Sequence, residues 1–353
     1  MILVTGGAGF IGSHVVDDLL ARGHRVRVLD SLDPSTHPSR PGYLSDNAEL
    51  IVGDLRDEAT VARAVRGVEH VCHQAGRVGL EPRFGDVAAY VDHNALGTAM
   101  LLQALHAAGF DGRLVLASSM VVYGEGRYAC AEHGVVRPGR RRPEELRAGR
   151  FEPPCPDCGA GLEPRAVPEE ARLDPRNIYA ATKVHQEHLA TAFAHATGAS
   201  VTALRYHNVF GPRMPRDSAY AGVASFFISC LRAGVAPRVF EDGGQLRDFV
   251  HVRDVARANT QALRSAQPIP GAFNVCSGIP RSVGGLAQAL ATAAGQNSPA
   301  PIVTGEFRAG DVRHVFASAQ RAETLLGFRA RENFTEAIRE FADAPLRDRV
   351  GAA

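Results

Sequence analysis

The sequence predicts an α/β fold: a doubly wound parallel sheet, joined to a smaller C-terminal lobe and interrupted by a cysteine-containing insertion. Three observations lead there. The N-terminal half alternates short β-rich runs with longer helical patterns, a glycine-rich turn follows the first of those runs, and beyond residue 210 the chain shifts to loops and short elements. Ile2 to Thr5 reads as the first strand, Ser13 to Ala21 as a helix and Arg25 to Leu29 as the second strand. Further strands are expected at Leu50 to Val52, His70 to His73, Arg113 to Ala117 and Val201 to Arg205, which would complete the sheet by about residue 210.

Residues 1–210 are therefore expected to form the first domain and residues 211–353 the smaller lobe, which is broken at Gly211-Pro212, Gly234, Gly243-Gly244 and Pro268-Ile269-Pro270. Phe249 to Val252 is apolar enough to be a strand returning to the first domain. Residues 125–176 differ in kind: from Gly124 to Arg176 the chain holds eight prolines, the basic cluster Arg140-Arg141-Arg142 and three of the six cysteines. This stretch reads as an insertion.

At 353 residues, with 45% apolar and 22% charged residues and a formal net charge of +1, the composition gives no electrostatic reason to expect nucleic acid or an anionic membrane. Met1 runs directly into Ile2-Leu3-Val4 without a basic leader, so a cytoplasmic protein with reduced thiols is expected. The uncharged run Ser218 to Leu231 is too short to span a bilayer. Lys183 is the only lysine, and the other 38 basic residues are arginine. A compact ammonium at one position suggests a role that a planar guanidinium cannot fill.

Thr5-Gly6-Gly7-Ala8-Gly9-Phe10-Ile11-Gly12 follows a strand and opens a helix, the context of a Rossmann-type dinucleotide site. Gly6, Gly9, Phe10, Ile11 and Gly12 are expected to form a tight turn whose backbone N–H groups approach a pyrophosphate at the helix N-terminus. Asp30, 18 residues after Gly12, would accept hydrogen bonds from ribose hydroxyls and repel a 2′-phosphate, so NAD is expected rather than NADP. Asp54 and Leu55 end the next strand, the carboxylate near the adenine amine. Gln74 and Ala75 end the following one near the pyrophosphate or nicotinamide ribose, while His73 reads as a core histidine.

Tyr179 and Lys183 fall at i and i+4 on one helix face. A phenol with a pKa of about 10 is a poor base at neutral pH, and a nearby ammonium favours its ionised form. Ser119, at the end of another strand, can hydrogen-bond the oxygen being deprotonated. Together these three form the candidate catalytic set.

With Gly53-Asp54, Asn94, Ser118-Ser119 through Val122-Tyr123-Gly124, Leu204-Arg205-Tyr206-His207-Asn208-Val209-Phe210-Gly211-Pro212, Arg247-Asp248-Phe249-Val250-His251-Val252 and Arg308-Ala309-Gly310-Asp311-Val312-Arg313, the chain resembles the extended short-chain dehydrogenase/reductases that act as nucleotide-sugar epimerases and dehydratases. The resemblance implies that Asn208, Arg247 and Arg308 meet the nucleotide diphosphate and Asp311 its ribose. It also implies a homodimer formed through helices near Leu96 to Ala107 and Tyr179 to Ala194. His207 replaces a frequent phenylalanine of that family.

Relatives that eliminate water carry acidic residues just after the catalytic serine or threonine, whereas this chain has Met120 and Val121. The expected reaction is therefore 4-epimerisation of a nucleotide-diphosphate sugar through a keto intermediate, with NAD recycled. Ser119-Met120, Tyr123-Gly124-Glu125-Gly126, Tyr220-Ala221-Gly222-Val223 and Gly310-Asp311-Val312-Arg313-His314 are most similar to the dTDP-L-rhamnose 4-epimerases. UDP-glucose and UDP-glucuronate 4-epimerases, a net nucleotide-sugar reductase and an NAD-binding regulatory protein remain the alternatives.

The insertion adds Cys130-x-x-His133 and Cys155-x-x-Cys158, two half-sites separated by 21 residues. Together they are expected to supply the four ligands of a structural, tetrahedral zinc.

Overall fold

A computed structural model of the chain describes residues 1–37, 39–79, 84–216 and 222–347. The first strands are β1 (Ile2–Thr5), β2 (Val26–Asp30), β3 (Glu49–Val52), β4 (His70–His73) and β5 (Arg113–Ser119). The insertion carries β6 (Arg127–Cys130), β7 (Gly134–Val136) and β8 (Glu163–Arg165), followed by β9 (Ser200–Tyr206) and β10 (Asn208–Phe210). The remaining strands are β11 (Arg238–Val239), β12 (Leu246–His251), β13 (Gly271–Val275), β14 (Pro280–Ser282) and β15 (Ile302–Val303).

The large sheet has seven strands in the order β13-β9-β5-β4-β1-β2-β3, every neighbouring pair parallel. It is the doubly wound, Rossmann-type sheet expected, and its order reverses beside β1. Alternate residues feed two apolar layers. Val4 and Val28 pack with Val15, Val16 and Leu19 of the helix Phe10–Ala21 and with Val255 and Leu263 of the helix Val252–Arg264. Leu3 and Leu29 face the other way, onto Leu101 and Leu105 of the helix Gly97–Ala107 and Phe193 of the helix Ile178–Thr197.

Two expectations about the second half of the chain are corrected. The sheet is not complete by residue 210, because β13 joins its edge beside β9. Phe249 to Val252, expected as the returning strand, lies largely in β12, which pairs with β10 and β14 in a separate three-stranded sheet. Pairing partners are set by tertiary packing, and β12 and β13 are both short apolar runs with equal claim to the sheet.

The C-terminal lobe has its own core of Phe210, Phe227, Ile228, Leu286, Leu290, Ile338 and Phe341. Part of the run from Ser218 and of the Tyr220–Val223 motif, residues 218–221, lies outside the described residues; from Val223 to Arg232 the chain is a helix. No helix among the described residues is long and apolar enough to cross a membrane.

The insertion is ordered, with a three-stranded antiparallel sheet β7-β6-β8 and a short helix Pro143–Arg147. Its apolar support is small. Only Val122, Tyr123 and Val167 form a buried cluster, and that cluster sits at its root.

Candidate active site

The glycine-rich turn joins β1 to the helix Phe10–Ala21. Gly6 has φ +67°, and a Cβ there would fall 2.7 Å from the Ala75 nitrogen; a Cβ on Gly12 would fall 2.1 Å from the Gly6 carbonyl oxygen. Larger residues would part β1, the helix and the chain after β4. No side chain caps the helix at Gly9, so its first turn presents backbone N–H groups and positive dipole charge toward the loop. Asp30 accepts the N–H groups of Ala8 and Leu32, each at 3.0 Å, which fixes its carboxylate at the loop. These features fit the pyrophosphate and ribose of a dinucleotide.

Other residues of the predicted cofactor set are placed differently. The Asp54 carboxylate is gripped by Arg56 at 2.9 and 2.5 Å, and this hydrogen-bonded pair holds it below the usual carboxylate range. Arg56 also pairs with Asp92, so the acidic end of β3 is an ion-pair cluster. Leu55 is 8% exposed and packs in the core rather than lining an open surface. Gln74 turns inward, donating to the Tyr206 hydroxyl at 2.9 Å and the Asn259 carbonyl oxygen at 3.0 Å. Its side chain is committed to that network, and Ala75 borders the glycine loop through its backbone. His73 is a core histidine, hydrogen-bonded to Thr5 at 2.7 Å and Thr98 at 2.9 Å, and burial pulls it down to about 3.

Asn177 caps the helix Ile178–Thr197 by accepting the Ala180 N–H at 2.8 Å, which sets Tyr179 in the first turn and Lys183 one turn later. Lys183, 4% exposed, donates to the Ala117 carbonyl at 2.8 Å, and its ammonium lies 5.8 Å from the Tyr179 ring centroid. Gly76 lies beside it: a Cβ there would stand 3.1 Å from the Asn94 side-chain oxygen and, in ordinary contact, 3.6 Å from Nζ. Burial pushes the Tyr179 phenol up to about 12, opposed by a hydrogen bond with Ser119; burial pulls Lys183 down to about 8, opposed by Glu187. Ser119 also accepts the Val121 N–H at 3.4 Å. The phenol, hydroxyl and ammonium therefore converge where β5 ends.

Beneath them runs a polar network that the motifs did not single out. Ser118 donates to Glu187, which receives Arg205 at 3.0 and 2.8 Å, and Arg205 reaches the Tyr123 hydroxyl at 2.9 Å. Glu187 stands one helical turn beyond Lys183, a spacing visible in the sequence. Asn94, fully buried, donates to Thr182 at 3.0 Å and bonds the Arg77 backbone at 2.6 and 3.0 Å, tying the helix Ile178–Thr197 to the loop after β4.

At the lobe side, the side-chain amide oxygen of Asn208 is buried with no hydrogen-bond partner among the described residues. Arg247, expected at the diphosphate, instead donates to the carbonyls of Leu246, Arg313 and Val312 at 2.8, 2.9 and 2.7 Å. It fastens the segment that follows Asp311, because three carbonyls converge on its fork. Arg308 is exposed, its guanidinium 5.1 Å from the Phe240 ring centre, and Asp311 is exposed as well.

Residues 2–140 and 157–276 match the sequence model of the NAD dependent epimerase/dehydratase family. The chain belongs to this family. The dTDP-L-rhamnose 4-epimerase of Burkholderia thailandensis is 34% identical over 345 residues, 96% of this chain and 93% of that protein. The UDP-glucose 4-epimerase of Thermus thermophilus, solved in complex with NAD, superposes with a TM-score of 0.74 at 32% identity over 97% of each chain. The UDP-glucose 4-epimerase of Thermotoga maritima, solved with UDP-glucose, gives 0.78 at 28% identity over 97% of each.

Within this epimerase/dehydratase framework the family match breaks between residues 140 and 157, inside the insertion. There the four predicted metal ligands come together: the ligand atoms of Cys130, His133, Cys155 and Cys158 all lie within 4.8 Å of one another. Cys130 Sγ is 3.6 Å from His133 Nδ1 and 3.7 Å from Cys158 Sγ, and Cys155 Sγ is 3.7 Å from the same imidazole nitrogen. Ligands about 2.3 Å from a tetrahedral zinc stand roughly 3.8 Å apart. Hydrogen bonding to His133 and to the backbone N–H groups of Glu132 and His133 draws the Cys130 thiol down, while desolvation and hydrogen bonding with Cys130 and Cys155 push Cys158 up, so the case for a metal rests on the ligand geometry.

Proposed function

We propose that this protein is an NAD-dependent 4-epimerase of a nucleotide-activated hexose, with a dTDP-6-deoxyhexose such as dTDP-L-rhamnose as the preferred substrate. The observation that carries the reading is the convergence of Ser119, Tyr179 and Lys183 with Met120 and Val121, not acids, following the serine. Glu125, the next carboxylate along the chain, is buried and bonded to Tyr128, Arg176 and the Arg313 N–H, so it is not an elimination catalyst.

Bound NAD would accept a hydride from C4 of the sugar and return it to the opposite face. Tyr179 takes the proton of the C4 hydroxyl and returns it. Ser119 holds that oxygen against the phenol, and Lys183 supplies positive charge that favours the phenolate. The high pKa of the buried phenol keeps it protonated in the free protein, so the base forms only when further positive charge enters the site. Gly6, Gly9, Phe10, Ile11, Gly12 and Asp30 would hold the cofactor with the backbone of Gln74 and Ala75, while Asp54 and Leu55, committed to Arg56 and to the core, would only border it at the end of β3. Asn208, Arg308 and Asp311 would hold the nucleotide, with Arg247 fastening their support.

Support for zinc comes from the four-ligand cluster in a segment with almost no core. All four positions would be filled by protein, so its role is structural. The free cysteines fit a reducing cytoplasm. Val91 and Leu96, 47% and 45% exposed beside the helix Gly97–Ala107, fit a homodimer surface.

The test is incubation with dTDP-L-rhamnose, UDP-glucose and UDP-glucuronate, without added cofactor, followed by separation of C4 epimers. The expected product has unchanged mass, with no net nicotinamide absorbance. A UDP-sugar epimerised faster than the dTDP-sugar would reassign the substrate, and a product lighter by one water would overturn the reaction.

A further inference from the structure

The insertion reaches the lobe through a continuous set of polar contacts. Tyr128, two residues before Cys130 and fully buried, donates to Glu125 and accepts the His314 N–H, each at 3.1 Å. Glu152, three residues before Cys155, receives Arg313 at 2.8 and 2.6 Å and His314 at 2.8 Å. Arg141 pairs with Glu241 at 2.8 Å, with side chains only 4% and 2% exposed, and donates to the Asp311 carbonyl at 2.7 Å. Arg313, 2% exposed, also binds Glu241 at 2.9 Å and Asp242 at 2.8 and 2.9 Å. Arg141, Glu152 and Cys155 all fall in the segment that the family match leaves out.

Buried ion pairs contribute little net stability because desolvation offsets their attraction; what they supply is a defined geometry. Here that geometry belongs to residues 311–314, gripped by the insertion through Glu125, Tyr128, Arg141 and Glu152, and by Arg247 through the carbonyls of Val312 and Arg313. The segment carries Asp311 and follows Arg308. The cysteine–histidine cluster joins the strand of Tyr128 to the turn after Glu152, so one metal ion would hold both arms of the grip.

We propose that the metal-held insertion is a latch that sets affinity for the nucleoside diphosphate end of the substrate, with Glu152 and Arg141 as positioning residues for Asp311 and Arg308. This rests on the zinc and nucleotide-sugar readings above. Losing the metal frees the turn after Glu152, and the segment 311–314 is left to its anchors outside the insertion, Leu246, Arg247, Glu241 and Asp242. Binding of the nucleotide weakens; the chemistry at Tyr179 does not change.

The experiment titrates UDP and dTDP into the NAD holoenzyme as purified, after chelation, after zinc is restored, and in Glu152→Gln and Arg141→Met. Zinc content, NAD content and the split of KM against kcat are measured in each. Chelation and either substitution should weaken nucleotide binding roughly tenfold and raise KM similarly, while kcat stays within about twofold and NAD is retained. Restored zinc should recover the affinity of the chelated protein only. Unchanged nucleotide affinity after verified zinc loss, or in a zinc-loaded Glu152→Gln, overturns the latch and leaves the zinc reading standing. Holoenzyme that never contained zinc overturns both, and zinc-loaded holoenzyme that binds neither UDP nor dTDP overturns the latch together with the nucleotide-sugar reading.

Discussion

At the candidate catalytic crevice, Tyr179 and Lys183 hang from a 20-residue helix packed against an apolar layer of the seven-stranded sheet. In the insertion, Cys130, His133, Cys155 and Cys158 hang from short strands and turns whose only buried cluster sits at their root. The first region is held by burial, so its titratable groups are desolvated and shifted: the phenol up to about 12, the ammonium down to about 8. The second is held by polar contacts, and its order depends on every ligand and ion pair being present. Apolar packing keeps reactive groups poised without a ligand; polar packing makes a structure that a ligand can set.

The largest effect expected is at the burial-held site. Tyr179→Phe should lower kcat by about 1,000-fold or more, since it removes the proton carrier, with NAD content of the purified protein unchanged because the glycine cradle is untouched. A variant keeping most of its activity would show that the proton leaves by another route. The converse break is in the insertion. Removing the proposed zinc, by chelation or by Cys155→Ser with Cys158→Ser, should speed tryptic cleavage after Arg140, Arg141, Arg147 or Arg150 by roughly 100-fold, as order lost with the metal exposes the backbone. The sheet domain should resist. Equal protection with and without zinc would mean that the insertion folds on its own contacts.

Both regions were legible in the sequence where short-range spacing decides the outcome. The glycine spacing, the i and i+4 placement of Tyr179 and Lys183, and the paired Cys/His turns each act within a few residues of chain. Less legible was everything decided across long separations. Whether β12 or β13 joins the large sheet depends on which run finds β9. Arg247 looked like a phosphate ligand because the residue type fits phosphate, but carbonyls 65 and 66 positions away claim its fork. Gln74 ends a strand at the cofactor crevice, and only the fold shows that Tyr206 and Asn259 draw its side chain inward. The Arg313 network joins residues separated by up to 188 positions, with no local pattern to announce it.

A smaller effect sharpens the comparison within the crevice. Lys183→Arg keeps the charge but must fit a planar fork where Nζ now donates to Ala117 beside Gly76. Activity should fall about 30-fold, through kcat. Wild-type activity should also decline as pH rises past about 8, where the ammonium is lost, in protein whose fold is unchanged. If Lys183→Arg turned over near the wild-type rate, any cation would serve, and the single lysine would carry no meaning.

The smallest effect tests what burial alone does to a polar group. His207 is 4% exposed, neither ring nitrogen has a partner in hydrogen-bonding geometry among the described residues, and burial pulls it down to about 3, with the Asn274 side chain opposing. Above pH 6.5 the imidazole is neutral in both folded and unfolded chains and contributes no pH dependence. Below it the unfolded chain takes up a proton that the folded one refuses, so stability falls as pH drops toward 3, by about 1.4 kcal/mol per pH unit. His207→Phe removes both the unpaired nitrogens and the proton. The variant should be more stable by about 1 kcal/mol at pH 7.5, and its advantage should grow by about 2 kcal/mol at pH 5, read as a widening gap in Tm. A gap that stays constant between the two pH values would mean that His207 takes up its proton in the folded protein, and that the crevice is less completely held by burial than its neighbours imply.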